Sequence, residues 1–363
     1  MAADLAEING VSGAQTRTWN ATTLTTADNL ITAQLVGGIR NSGDKAVKVT
    51  VQQVINKTFS GIFPSSQTAV RVTAVAMAEV LPAPSCVVAL STSAGDAIEV
   101  DNAGSITATQ CGITSNSTDS TAIYLNSGTI SGTSVNAVGG ISESNSGSNT
   151  LSPSPGNSNA AAAANPFAGM TAPTPGSCSY TNASFSAYQS TPYAFTQSAN
   201  VFCGNTTIGG NASTDTFAPG VYYVVNGNLT FNNATITSAS GVSFVLTGTN
   251  PGALSWTNNS NTTTQITAPT TGATAGIVVW QTCPSSGTAP ASTMAGGSTL
   301  DLSGAFYAPC GALNLSNNAI LGAISGSSLN VVAQTLSAIG SAEIEGATGS
   351  GLGGSSVTIT LVQ

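Results

Sequence analysis

The stretch 216–248, TFAPGVYYVVNGNLTFNNATITSASGVSFVLTG, decides the fold. It divides into four short β-prone runs at 221–225, 229–231, 235–237 and 242–246, separated by Gly, Asn and Ser, which take up turn geometry at low cost. The aliphatics expected to point inward, Val221, Leu229, Ile236 and Val242, return every six to eight residues. That spacing is too short for hairpins with ordinary loops but suits a chain winding round a solenoid.

The same texture extends in both directions. CVVAL (86–90), AIEV (97–100), SIT (105–107), CGI (111–113), AIYL (122–125), GTI (128–130) and SVN (134–136) recur every few residues and predict a first solenoid segment over 83–138. The run GGISESNSGSNTLSPSPGNSNAAAAANPFAGMTAPTPGS, 139–177, is dominated by Pro, Ser, Gly, Ala and Asn and reads as a linker or loop. A second segment over 178–363, continuous with the first, opens on the aromatic piece SYTNASFSAYQSTPYAF, expected to cover an end or flank of the core. In it Leu300, Leu302, Leu313, Leu315 and Val331 are placed to stack along a common interior, and the final VTITLV (357–362) is a strand suited to capping one end. Before these segments, 1–82 reads as a helix-plus-strands region. Ala27, Leu30, Ile31, Leu35 and Val36 fall on one helical face, Ala2–Ile8 fits the end of another helix, and 45–80 alternates with period two as two strands around a Phe59–Phe63 turn. The expected class is therefore mainly β: a parallel β-helix (β-solenoid) with a small N-terminal α/β portion.

Charge narrows the function. Only 6% of residues are charged, against roughly 25% in an average soluble protein, and the net charge is −8. Arg71 is the last cation, and His is absent. Nucleic acid is excluded as a partner, because nothing beyond residue 71 can displace counterions or clamp phosphate. An anionic membrane surface is excluded on the same ground.

Six cysteines, Cys86, Cys111, Cys178, Cys203, Cys283 and Cys310, form no CxxC, and without His a zinc site would need four scattered thiolates. Six allow fifteen pairings, of which the simplest is Cys86–Cys111, Cys178–Cys203 and Cys283–Cys310. Each pair is about one solenoid turn apart, so each bridge would staple one coil to the next. That use of cysteine implies an oxidising, extracytoplasmic compartment.

Catalytic groups are scarce. Between Ser144 and Ala342 the only carboxylates are Asp215 and Asp301, which a polysaccharide-active enzyme would need side by side and which otherwise read as turn or capping residues. Neither Cys nor Ser has a base to activate it. Asp96, Glu99 and Asp101 match no calcium loop and read as solvated turn residues. The sequons at Asn182, Asn205 and Asn228 follow from a composition rich in Asn, Ser and Thr. No catalytic, cofactor-binding or metal residue is assigned.

Four ordered motifs resemble the TadE/TadG-like proteins of the tight-adherence (Flp) pilus assembly system. They are VKVTVQQVINKTFSGIF with AVRVTAVAMAEV (47–63 and 69–80); CVVAL with the following Cys111-Gly112-Ile113 and SVNAVGG; NPFAGMTAPTPGSC (165–178); and APGVYYV, GVSFVLTG, ITAPTTGATAGIVVWQ and LSGAFYAPCGALNLS. Together they span nearly the whole chain in family order. The resemblance implies a non-enzymatic extracytoplasmic structural component of a Tad pilus or its apparatus, whose partners are pilus or pilus-assembly proteins and a host or abiotic surface, with the membrane reached only through an N-terminal anchor. Two departures stand out. The family's hydrophobic helix is not found here, so the sequence is expected to begin just after it, at Ala2-Ala3-Asp4. The DxSxS metal site of some relatives is not matched, since Asp301-Leu-Ser-Gly-Ala departs from it in its last position. The stretch 216–248 also resembles ice-binding solenoids, but Thr230, Thr235, Thr237 and Thr247 keep no regular rank along the chain. A surface-binding solenoid, adhesin or ice-binding-like, is the alternative, and a polysaccharide-active enzyme the third.

Overall fold

The computed structural model describes residues 15–17, 30–37, 45–56, 67–78, 85–186, 193–209, 214–258, 263–297, 299–345 and 359–362. They fall into two units, residues 1–81 with 355–363, and residues 82–354.

In the first unit a five-stranded sheet runs in the order Gln15–Arg17, Leu30–Gly37, Lys45–Asn56, Gln67–Ala78, Ile359–Val362. The first pair is parallel and the others antiparallel. The two strands expected within 45–80 are present. The helix expected around 27–36 is not, because Leu30–Gly37 pairs residue by residue with 45–52. An eight-residue run containing Ile31, Thr32 and Val36 satisfies either period, and the neighbouring strand's open backbone groups favour the extended form. The described part of VTITLV, Ile359–Val362, likewise pairs with no solenoid strand: it extends this sheet beside Gln67–Ala78. The Ala2–Ile8 and Phe59–Phe63 readings lie outside the described residues.

The second unit is a parallel β-solenoid. Its coils are legible in the stretch that opens the sequence reading: Gly220–Val225, Leu229–Asn232 and Thr235–Ser238 make one coil, and Val242–Thr247, Leu254–Thr257 and Thr263–Thr267 make the next. Gly220 pairs with Val242 and Leu229 with Leu254, in parallel register. Three strands per coil define three faces, here called first, second and third in chain order within a coil. Long strands such as Thr299–Ala308 turn the corner from the third face of one coil to the first face of the next.

The second face fixes the order of coils: Ile141–Ser144, Ile123–Asn126, Ile98–Asp101, Leu336–Ile339, Leu313–Ser316, Ser292–Ala295, Leu254–Thr257, Leu229–Asn232, Thr206–Gly209, Ser184–Ser186. The chain therefore enters the rod near its middle at Cys86, winds to one end, crosses to the opposite end, and winds back. The two segments do form one stack, joined through the last coil of the second and the first coil of the first: Val331 pairs with Val87, Leu336 with Ile98 and Glu343 with Ser105.

The interior is a set of in-register ladders. On the second face Leu229 and Leu254 lie in one inward row that continues, across Ser292, through Leu313, Leu336, Ile98 and Ile123, all buried. Leu300, Leu302, Leu313, Leu315 and Val331 are buried as expected. Toward the 184–186 end the core becomes aromatic: Phe195 stacks on Phe217 with centroids 4.5 Å apart, Phe217 meets Phe244 edge-on at 5.1 Å, and Phe231 lies 4.5 Å from Trp256. Tyr180, Phe185, Tyr193 and Phe195, from the aromatic piece after Cys178, pack together at that end. Val221 departs from its expected position. It is half-buried on the outside, while Tyr222 and Val224 fill the core. Both faces of this strand are apolar, so alternation alone does not choose between them.

Residues 139–177 are only partly a linker. Ile141–Ser144 and Thr150–Ser152 pair with the preceding coil, so the first part is the terminal coil. The remainder lies along the outside of the first face. Asn116 grips the Ala163 backbone through Nδ2 to the carbonyl at 2.9 Å and Oδ1 from the N–H at 2.8 Å. Phe167, buried, rests on Tyr307 with centroids 4.9 Å apart, among Val88, Val245, Trp280 and Val332. The described residues contain only two short 3-10 turns and no α-helix, and no helix among them is long and apolar enough to cross a membrane.

Candidate functional site: the outer faces and corners of the solenoid

All six cysteines are bridged in the simplest pairing: Cys86–Cys111, Cys178–Cys203 and Cys283–Cys310, separated by 25, 25 and 27 residues, with Cα–Cα distances of 5.7, 5.7 and 5.2 Å. Ser85 faces Gly112 and Thr181 faces Cys203 across neighbouring strands, so these bridges join adjacent coils. They are consistent with an oxidising, extracytoplasmic compartment.

The three faces differ in chemistry because each outward position repeats once per coil. The middle of the first face is apolar, with Val88, Val245, Trp280, Tyr307 and Val332 packed under Phe167 and Met170, and the outward row beyond Val88 turns polar at Thr114 and Asn136. On the second face the outward positions Ser184, Thr207, Thr230, Ser255, Thr293 and Asn314 fall in one row in register, followed by Ser337. Successive members are about 4.8 Å apart, the spacing of paired strands. No ionisable group interrupts the row until Glu99 on the next coil. Within it Thr293 Oγ1 donates to Ser255 Oγ at 3.4 Å and Ser337 Oγ to Asn314 Oδ1 at 3.3 Å. Of the threonines named from the sequence only Thr230 belongs to this row; Thr235 and Thr237 lie in the third-face strand Thr235–Ser238 and Thr247 in the first-face strand Val242–Thr247, so those four keep no rank along the chain, and the row exists only across coils.

The third face carries Asp215, Asp301, Glu343 and Glu345. Asp301 is raised above the usual carboxylate range, chiefly by burial, with Glu345 adding to it against a hydrogen bond from Gln265. Glu343 is raised first by sharing a hydrogen bond with Glu345, then by burial and by that neighbour's charge. Asp215 is buried inside the core wall, where Oδ1 accepts the Tyr193 N–H at 3.1 Å. The structure does not bring Asp215 and Asp301 together. Their strands are separated by Thr235–Ser238 and Thr263–Thr267, so three strand steps place them about 14 Å apart or more, beyond the 5 to 10 Å of glycosidase carboxylates.

Asp96, Glu99 and Asp101 sit around one turn of the first segment. Burial raises Glu99, with Asp96 and Asp101 adding to it, and Asp101 accepts the Asn126 side-chain N–H at 2.8 Å. Among the described residues no group of three His, Cys, Asp or Glu is placed to hold a metal ion.

The corner between the first and second faces holds a feature missed in the sequence. Asn182 Oδ1 accepts the Asn205 backbone N–H at 3.1 Å, Asn205 Oδ1 accepts that of Asn228 at 2.9 Å, and Asn228 Oδ1 accepts that of Ala253 at 2.9 Å. The three sequons are thus rungs of an asparagine ladder, and their constant 23-residue spacing was the available signal. Gly227 and Gly252 are required beside it: a Cβ on Gly227 would overlap the Gly204 backbone, and one on Gly252 the Gly227 backbone.

No protein-family model, curated protein or solved structure matches this chain.

Proposed function

We propose that this protein is a non-enzymatic, extracytoplasmic structural component of a bacterial Tad/Flp pilus or of its assembly apparatus. The observation that carries the reading is the stapled rod: three disulfides tie one turn of chain to the next, in a solenoid whose second face presents an uncharged row from Ser184 to Ser337. Ten strands at about 4.8 Å give that face a length of roughly 45 Å, a stiff spacer suited to holding partners apart. The pilus assignment rests on the ordered motifs from 47 to 316. Deleting the gene in its host tests it. The expected result is loss of pili or of surface attachment at normal growth, with the wild-type protein recovered from the envelope or sheared surface fraction. Unchanged piliation and a cytosolic protein would contradict the reading.

A second reading, a surface-binding solenoid of the adhesin or ice-binding-like kind, is favoured by one observation, the in-register row Thr207–Thr230–Ser255–Thr293. A regular, neutral, hydroxyl-bearing plane suits a flat periodic surface. Inhibition of ice recrystallisation at micromolar protein, abolished by Thr230→Tyr, is the result that would establish it, and no inhibition would remove its ice-binding form.

A further inference from the structure

A groove of about 350 Å³ opens at the asparagine corner, lined by Asn205, Asn226, Asn228, Pro251, Pro284 and Pro290 among others. Its donors are oriented. The Oδ1 of Asn205 and Asn228 are occupied by backbone N–H groups of the next coil, and Asn226 Oδ1 accepts the Asn250 N–H at 3.0 Å. Fixing each carbonyl oxygen fixes which way the amide lies, so each Nδ2 is the free end. None of these three Nδ2 groups has a protein acceptor among the described residues.

The wall is built as well. Gln281, fully buried, donates from Nε2 to the carbonyls of Gly252 and Pro290, both at 2.8 Å, and so bolts the coil corner to the 284–290 loop. The Cys283–Cys310 bridge holds the start of the same loop. The groove is therefore preformed, with asparagine amides and proline rings together in its lining.

The chemistry selects the ligand. Fixed N–H donors repel a cation, and a chain of net charge −8 with no cation beyond Arg71 repels an anion. What remains is a neutral molecule rich in acceptor oxygens that also has apolar C–H faces for the prolines. We propose that this groove binds a neutral saccharide, its hydroxyl and ring oxygens accepting from the Asn205, Asn226 and Asn228 amides and a sugar face resting on Pro251, Pro284 and Pro290. The site lies at the corner, outside the Ser184–Ser337 row, and goes beyond the scaffold reading.

The test is a titration of the whole ¹⁵N-labelled protein with cellobiose and with N,N′-diacetylchitobiose, followed through the side-chain NH₂ resonances. With at least one sugar, saturable shifts are expected at Asn205, Asn226 and Asn228, while Asn314 on the second face stays still. Asn228→Asp and Asn226→Asp keep the Oδ1 acceptor and delete the donor, so each is expected to fold, confirmed by an unchanged melting temperature, and to bind about fivefold more weakly. Absence of saturable shifts with both sugars up to about 10 mM would overturn the proposal. So would equal shifts at Asn314, or wild-type affinity in both variants.

Discussion

Leu336 lies directly beside Ile98 in parallel register, both fully buried, although they belong to opposite ends of the solenoid sequence. This contact closes the rod. The last coil wound is laid on the first, so neither segment has an exposed edge at the junction, and the open edges are left to the two ends.

The junction makes the segments thermodynamically one body. Truncating either residue to Ala is expected to cost about 2 to 5 kcal/mol, because it removes buried methyls and leaves a cavity. Since the side chains touch, the double variant should deviate from additivity by roughly 0.5 to 3 kcal/mol in a chemical-denaturation cycle. Strict additivity, or two separate unfolding transitions, would mean that the segments fold independently.

Neighbours on one strand should behave oppositely. Phe231 is buried against Trp256 and Phe244, whereas Thr230 faces outward in the hydroxyl row. Phe231→Ala is expected to lose about 3 to 5 kcal/mol in urea unfolding, and Thr230→Ala to stay within about 0.5 kcal/mol of wild type. Equal losses would mean that the register is shifted by one residue.

Acid should stabilise the protein. Glu99, Asp301 and Glu343 all hold protons more tightly folded than unfolded. The contribution of a group with a raised folded pKa is present below its unfolded value and is lost as pH rises through the folded one. The melting temperature is therefore expected to fall between about pH 4 and pH 7. Asp119 is shifted the other way by the Thr121 N–H, and its window lies below that range. Scanning fluorimetry across the range checks the slope, and a melting temperature that rises with pH would contradict the placement of these carboxylates.

Much of the rod was legible because coil corners need specific residues. Gly and Asn between short apolar runs marked the strands of 216–248, and the cysteine spacing marked the bridges. Three things were hidden for physical reasons. Parallel pairing of Leu336 with Ile98 leaves no local trace, since neither residue's neighbours encode the partner. The Leu30–Gly37 strand satisfies two periods at once and was decided by its neighbour. The asparagine ladder and the hydroxyl row were visible only at the coil repeat, so Asn182, Asn205 and Asn228 looked like ordinary consequences of composition.

The stapled rod, and the extracytoplasmic location proposed for it, are tested most directly by a disulfide map of the protein taken from its host without reduction. Because no Lys or Arg follows Arg71, chymotrypsin rather than trypsin is the appropriate protease. The account predicts Cys86–Cys111, Cys178–Cys203 and Cys283–Cys310 with no free thiol. Free thiols, or bridges between any other pairs, would contradict it.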